Sequence, residues 1–212
     1  MKIVKPSYEI LIPANEAEWN RERKLIERIA RVCYKSEDKI TDTSWQSMLK
    51  MLNDKNHGAM LEHSRMSVLF VCDRGVSHEL VRHRLCSFAQ ESTRYCNYSK
   101  DKFGNEITVL EPFVNHCDNE VYKSWSDACH SSEKEYFNFL EKGYSPQIAR
   151  SVLPNSLKTE IVVTTNFREW QHIFRLRAIS KAAHPQMREL LVPLYEYCRS
   201  ILPEVFDLGN AD

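Results

Sequence analysis

The run MSVLFVC at residues 66–72 constrains the fold more than any other stretch of the chain. Apolar apart from Ser67 and rich in β-favouring side chains, it predicts a buried strand. Around it the spacing turns helical. Leu25, Ile29, Val32 and Cys33 share one stripe of a helix predicted from Asn15 to about Ser36. A second helix, opened by Asp42 or Thr43 as its cap, carries Trp45, Met48, Leu49 and Leu52 at i, i+3, i+4 and i+7. After the strand, VSHELVRHR reads as a short helix with Val76, Leu80 and Leu85 inward and Arg82, His83 and Arg84 in its last turn. NEITVLEPF and LKTEIVVTTN read as further strands, separated by a long polar helix from about Asn119 to Lys142. NFREWQHIFRLRAI and HPQMRELLVPLYEYCRSIL read as closing helices, the second with Met187, Leu190, Leu194, Cys198 and Ile201 on one face despite Pro193. Strands interspersed with helices, without repeat or linker, predict an α+β or α/β arrangement. The 212 residues suffice for one sizeable core, and residues 1–212 are expected to form a single domain.

Charge excludes several functions. Lys and Arg number 29, as do Asp and Glu, so no global field draws the chain to nucleic acid or to an anionic membrane. Any anion site must be local. The N-terminal MKIVKPSYEILIP lacks the apolar core of a signal peptide, and no run approaches the roughly 20 apolar residues of a membrane span. Cys33, Cys72, Cys86, Cys96, Cys117, Cys129 and Cys198 are scattered with no CxxC pair, which predicts reduced thiols and a cytoplasmic protein. With five Gly and no GxGxxG or Walker loop, a phosphate site would rest on side chains.

Such side chains gather in RHRLCSFAQESTRY, residues 82–95. HELVRH looks like a zinc-protease helix, but His83 stands at i+5 from His78, about 140° round the helix, where the HExxH motif needs i+4. His57, Glu62 and His63 have no recognised ligand spacing either, so no metal is expected. Two readings of the cations stand side by side. RHR is a solvated helix end favoured by the helix dipole, or its guanidinium forks bind phosphate while Ser87, Gln90, Ser92 and Thr93 add neutral donors. The combination suits a phosphorylated aromatic ligand, and a nucleotide is the obvious class.

RHR, seven residues and then Ser, realised as Arg82, His83, Arg84 and Ser92, resembles the signature of flavin-dependent thymidylate synthases, the ThyX family. In order, NHGAMLEHS, HELVRHR, QIARSVLP, NFREWQHIFRLR and AAHPQMREL resemble that family's blocks from about residue 56 to 190. The resemblance implies an α+β fold with a central mixed or antiparallel sheet flanked by helices. It implies reductive methylation of dUMP to dTMP, with methylenetetrahydrofolate giving the carbon, NADPH the reducing power and FAD the hydride relay. It implies no enzyme nucleophile, and a homotetramer whose active sites are shared between subunits.

Carried onto this sequence, the resemblance implies that Arg82, His83 and Arg84 contact FAD, with Arg82 also reaching dUMP. Gln90, Glu91, Ser92, Thr93 and Arg94 would form a loop around the dUMP phosphate and sugar, with Gln90 touching FAD as well and Ser92 and Arg94 as the anion donors; the competing expectation for Glu91 is that its backbone amide, not its carboxylate, faces the phosphate. Glu79 would touch dUMP, and Arg150 would reach it from a neighbouring subunit. Asn166, Phe167, Arg168 and His172 would lie against FAD, as would His57 and the backbone of Ala59. Arg177 is implied as the catalytic residue, favouring ionisation at N3 of the uracil and stabilising negative charge as hydride arrives. The chain carries Ala89 and Gln90 where some relatives carry Asn and Glu, changes expected to tune affinity. Two alternatives use the same cations: a non-catalytic nucleotide or RNA-binding module, and a same-fold enzyme acting on a modified pyrimidine nucleotide.

Overall fold

The computed structural model describes residues 1–112 and 118–209, so Phe113 and Cys117 lie outside the described residues. Its elements in chain order are β1 (Lys2–Val4), β2 (Ser7–Ile12), α1 (Glu16–Tyr34), α2 (Ser44–Asp54), β3 (Arg65–Asp73), α3 (Arg74–Leu80), β4 (Ser87–Gln90), β5 (Thr108–Leu110), α4 (Asn119–Glu141), α5 (Pro146–Ala149), β6 (Lys158–Asn166), α6 (Phe167–Phe174), α7 (Pro185–Ile201) and α8 (Pro203–Phe206). The fold is α+β. One sheet has four strands in the order β2-β3-β6-β4, and a second is the parallel pair of β1 with β5, in register from Lys2 opposite Thr108. MSVLFVC is the centre of β3, with Met66, Val68, Phe70 and Cys72 buried.

The chain forms two compact units, each assembled from separate segments: Met1–Ser7, Phe70–Arg82 and Ala89–Ile161 in one, Tyr8–Leu69, His83–Phe88 and Val162 onward in the other. The first has a core of Tyr98, Ile107, Val109, Cys129, Tyr136, Ala149 and Leu157, drawn from β5, α4, α5 and their connections. Asp118 starts α4 by accepting a hydrogen bond from the Val121 amide. The core of the second is aromatic. Trp19 stacks on Phe167 at 5.8 Å, Phe167 meets Phe206 at 5.3 Å, and Phe174 meets Phe206 at 5.7 Å. Trp170 is fully buried and donates to the Met66 carbonyl at 3.0 Å. Full burial of each such ring stabilises the fold by about 1.5–3 kcal/mol, which fixes α6 against β3.

Several expectations are corrected. The buried face of α1 carries Trp19, Arg23, Ile26 and Ala30, whereas Val32 is 52% exposed and Cys33 is also exposed. Polar side chains hid that face from a hydrophobicity reading. The Arg23 guanidinium lies 4.7 Å over the Trp45 ring, and Glu27 and Arg31 are buried as a 2.8 Å ion pair. In α2 the expected inward set of Trp45, Met48, Leu49 and Leu52 is buried. Thr43 stands at its N-cap as expected, but its side chain makes no capping bond, and the start is held by Thr41 and Ser44 exchanging side chain to backbone bonds at 2.8 and 3.1 Å. The helix α3 stops at Leu80, so Arg82, His83 and Arg84 lie beyond it in a turn, and Leu85 is 77% exposed. Asp73 caps α3 through the Val76 amide. The stretch expected as one helix from Asn166 onward changes to a π-helical turn over Arg175–Ile179.

Candidate active site

In the second unit, β6 hands the chain to α6 at Asn166. Its side chain accepts from the Glu169 amide at 2.9 Å and so starts the helix. That cap aims the first turn of α6 into a cleft of about 600 Å³ lined by Asn166, Arg168, Glu169 and His172, with Asn56, Gly58 and Glu62 among the facing residues. Three residues predicted to touch a flavin, Asn166, Arg168 and His172, are thus together. Phe167 is not with them: its ring is fully buried in the aromatic core, so only its backbone is left to meet a ligand. His57 and Ala59 are exposed beside the lining residues Asn56 and Gly58, and His57 Nδ1 lies 3.2 Å from the Tyr34 hydroxyl. Arg84 is exposed beside Leu85, another lining residue.

Arg168 pairs with Glu62 from the 3-10 turn Gly58–His63. A β-carbon on Gly58 would sit 2.9 Å from Arg168 Nε, so the absence of a side chain there lets the guanidinium lie flat along the turn. Gly58, Glu62 and Glu169 were not predicted as site residues. Glu62 stood in the quoted NHGAMLEHS block, and Glu169 stands three residues after its cap, the spacing of a capping motif. Both signals were legible as structure before they were legible as site.

Four polar side chains cluster at the cleft, Glu169 and His172 in its lining and His83 and Arg177 next to them. Arg177, on the π-helical turn, donates from Nε to His83 Nε2 at 3.3 Å, and Glu169 Oε1 lies 3.7 Å from His83 Nδ1. His172 meets His83 edge to face at 5.9 Å. His83 is 5% exposed, and burial, then Arg177, then His172 push its pKa down to about 4. The imidazole is therefore neutral at working pH. Burial raises the Glu169 carboxyl, opposed by His172. Because Arg177 needs a lone pair on Nε2, the hydrogen-bond network assigns the ring proton to Nδ1. His83, Glu169 and His172 offer donor atoms within 4.8 Å of one another, the spacing of a metal site.

The predicted dUMP residues other than Arg177 lie in the first unit. Gln90 ends β4, where a loop was expected, and spends its amide on Ser77 Oγ at 2.9 Å and Thr159 Oγ1 at 3.2 Å. The Glu91 amide donates to the Glu160 carbonyl, so it does not face a phosphate as expected. The Glu91 carboxylate takes Lys158 at 3.1 Å. The Ser92 carbonyl accepts from the amides of Tyr95 and Cys96, closing a tight turn. Thr93 is buried, and Arg150 of the same chain donates to its hydroxyl at 3.4 Å. Arg94 is exposed over the Tyr95 ring, while Arg82 and Glu79 flank the end of α3 with the Arg82 amide bonded to the Glu79 carbonyl. The turn thus carries Ser92, Thr93 and Arg94, and Arg150 reaches it through Thr93, side chains of the kind that donate to a phosphate.

Comparison with known proteins adds an independent line. The profile of the family described as "Thymidylate synthase complementing protein" matches residues 16–204. The flavin-dependent thymidylate synthase of Corynebacterium aurimucosum is 36% identical over 196 residues, 86% of this chain and 78% of the relative. That of Geobacter sulfurreducens is 31% identical over 186 residues, 84% and 77% respectively. Among solved structures, the UMP/dUMP methylase PolB from Streptomyces cacaoi, bound with 5-Br dUMP, superposes with a TM-score of 0.79. At 21% identity across 98% of this chain and 96% of that one, the likeness is one of fold.

Proposed function

Because the chain belongs to the thymidylate synthase complementing protein family, whose relatives are flavin-dependent thymidylate synthases, we propose that it converts dUMP to dTMP. The carbon comes from methylenetetrahydrofolate and the reducing equivalents from NADPH. FAD, when bound, supplies the hydride relay. The observation that carries this reading is the cleft in which Asn166, Arg168 and His172 converge beside the Arg177–His83 pair. Its donor set fits a flavin nucleotide: the Arg168 guanidinium for the diphosphate, and amide and imidazole edges for the neutral groups.

Within this reading Arg168, His172 and Asn166 orient the flavin, with Arg84, His57 and the backbones of Phe167 and Ala59 at its margin. Ser92, Thr93, Arg94 and Arg150 hold the dUMP phosphate, and Glu79, Arg82, Gln90 and Glu91 shape the pocket around the sugar. Arg177 is the catalytic residue, lying at the pyrimidine carbonyl edge and favouring loss of the N3 proton. A guanidinium held in place before the reaction stabilises developing negative charge without the cost of reorganisation. No metal takes part in this reading.

A homotetramer with shared sites belongs to the same proposal, and so does a single functional domain over 1–212, supported by one family profile running through both units. A cytoplasmic setting is supported by the exposed free thiol of Cys33. The test is dTMP formation from dUMP, methylenetetrahydrofolate and NADPH under low oxygen, with and without added FAD. Flavin-dependent product is expected. A folded, flavin-saturated protein that makes none would overturn the reading. A second substrate is favoured by the fold shared with a UMP/dUMP methylase, so UMP belongs in the same assay as competitor.

A further inference from the structure

Glu169 has no part in the binding scheme above, yet it is a carboxylate 8% exposed at the back of the cleft. Its backbone amide is used by the Asn166 cap, and its Oε1 faces His83 Nδ1 at 3.7 Å, an electrostatic contact longer than a hydrogen bond. Across the same imidazole, Nε2 takes the Arg177 Nε–H at 3.3 Å. Around the ring, Glu169 faces one nitrogen, Arg177 faces the other and His172 meets the edge.

We propose that Glu169 is a positioning residue that holds the Arg177 guanidinium in its working orientation by fixing His83 in the Nδ1–H tautomer. A neutral imidazole has one donor nitrogen and one acceptor. Left to itself, the buried ring could carry its proton on either, and the Nε2–H form would set two donors, Nε2–H and Arg177 Nε–H, against each other. A carboxylate beside Nδ1 attracts the proton there and leaves the lone pair facing Arg177. The logic matches that of the serine-protease triad, in which a carboxylate sets the tautomer of a neighbouring imidazole. The π-helical turn under Arg177 contributes to the same end. It widens the helix at Arg175–Ile179, a local irregularity of the kind frequent at functional sites.

The inference rests on the thymidylate synthase reading only for what Arg177 does, and the experiment separates the two. The full-length, FAD-loaded protein labelled with 15N on histidine is measured by two-bond 1H–15N correlation near neutral pH, with His83→Gln used to assign the signal. The wild-type ring is expected to carry its proton on Nδ1. In Glu169→Gln, which keeps the size and the backbone cap, the two tautomers should mix. The kcat for dTMP should fall by about tenfold or more, as small misplacements of a reacting group do, with no matching loss of FAD affinity. A wild-type signal showing the proton on Nε2 would overturn the proposal without any variant having to fold. So would a Glu169→Gln protein with unchanged tautomer and unchanged kcat. A protein with the expected tautomer, lost in Glu169→Gln, that forms no dTMP would leave the positioning role standing and overturn the reaction assigned to Arg177.

Discussion

Replacing Gly58 with alanine should separate flavin binding from stability. The new β-carbon would sit 2.9 Å from Arg168 Nε and 3.1 Å from Cδ, closer than ordinary contact, so the arginine must swing away. It can do so readily, because its side chain is 55% exposed and the facing Glu62 is 47% exposed. Losing that ion pair costs about 0–1 kcal/mol. The loss is offset by roughly 0.4–1 kcal/mol from the reduced freedom of the unfolded chain, since Gly58 has no left-handed φ to strain an alanine. Stability should therefore change by less than about 1 kcal/mol. Flavin binding should not be so forgiving. A displaced guanidinium forfeits a charge-assisted bond to the ligand worth about 1.5–3 kcal/mol, which weakens Kd by roughly tenfold to a hundredfold. Quenching of flavin fluorescence gives Kd and a thermal melt gives stability. Unchanged Kd alongside an unchanged melt would refute the idea that the flat packing of Arg168 on the turn serves the flavin.

Four further outcomes are expected. Asn166→Ala should lose about 1 kcal/mol from the missing cap in a denaturant titration, whereas Asn166→Asp keeps an acceptor for the Glu169 amide and most of the stability. Arg31→Met should cost about 3–5 kcal/mol by leaving the Glu27 charge buried alone, while the double change with Glu27→Met should be close to neutral. His83 titrates near 4 in the folded chain against 6.5 ordinarily, so between those values the unfolded chain takes up a proton that the folded one does not. Stability should therefore fall by up to ~3 kcal/mol as pH drops through that window, and His83→Gln should flatten that part of the profile. Arg177→Ala should lower kcat by about a hundredfold or more as the ring charge loses its guanidinium, and near-normal dTMP formation with normal dUMP binding would refute its assignment.

How far the sequence reveals the fold depends on what lines each face. In α2 and α7 the buried side is apolar, so the spacing of Trp45, Met48, Leu49 and Leu52, or of Met187, Leu190, Leu194 and Cys198, identifies it directly. The α1 face defeats the same reasoning because Arg23, Glu27 and Arg31 are buried on it, each beside a charged or aromatic partner that periodicity does not register. The strand β4 is equally hidden. Its four residues lie inside the RHR signature segment, where chemistry drew the reading toward a loop. Gln90 then turns inward to Ser77 and Thr159, partners supplied by α3 and β6.

The site shows the same limit from the other side. A signature names side chains expected to meet a ligand, and it named Asn166, Arg168, His172 and Arg177, which the structure gathers in and beside one cleft. What it leaves out are groups whose work is done on other protein atoms. Gly58 acts by having no side chain, Glu62 by pairing with an arginine, and Glu169 by facing one nitrogen of an imidazole whose other nitrogen faces Arg177. Each needs two segments distant in sequence, residues 56–64 or 82–84 against 166–177, to be brought within a few ångströms. Geometry therefore determines which residues of the proposed site can tolerate substitution. Arg168 and Arg177 carry charge that no neighbour replaces, but their usefulness depends on Gly58 and Glu169 keeping them where they lie. A change at either supporting position should therefore act on binding or turnover before it acts on folding.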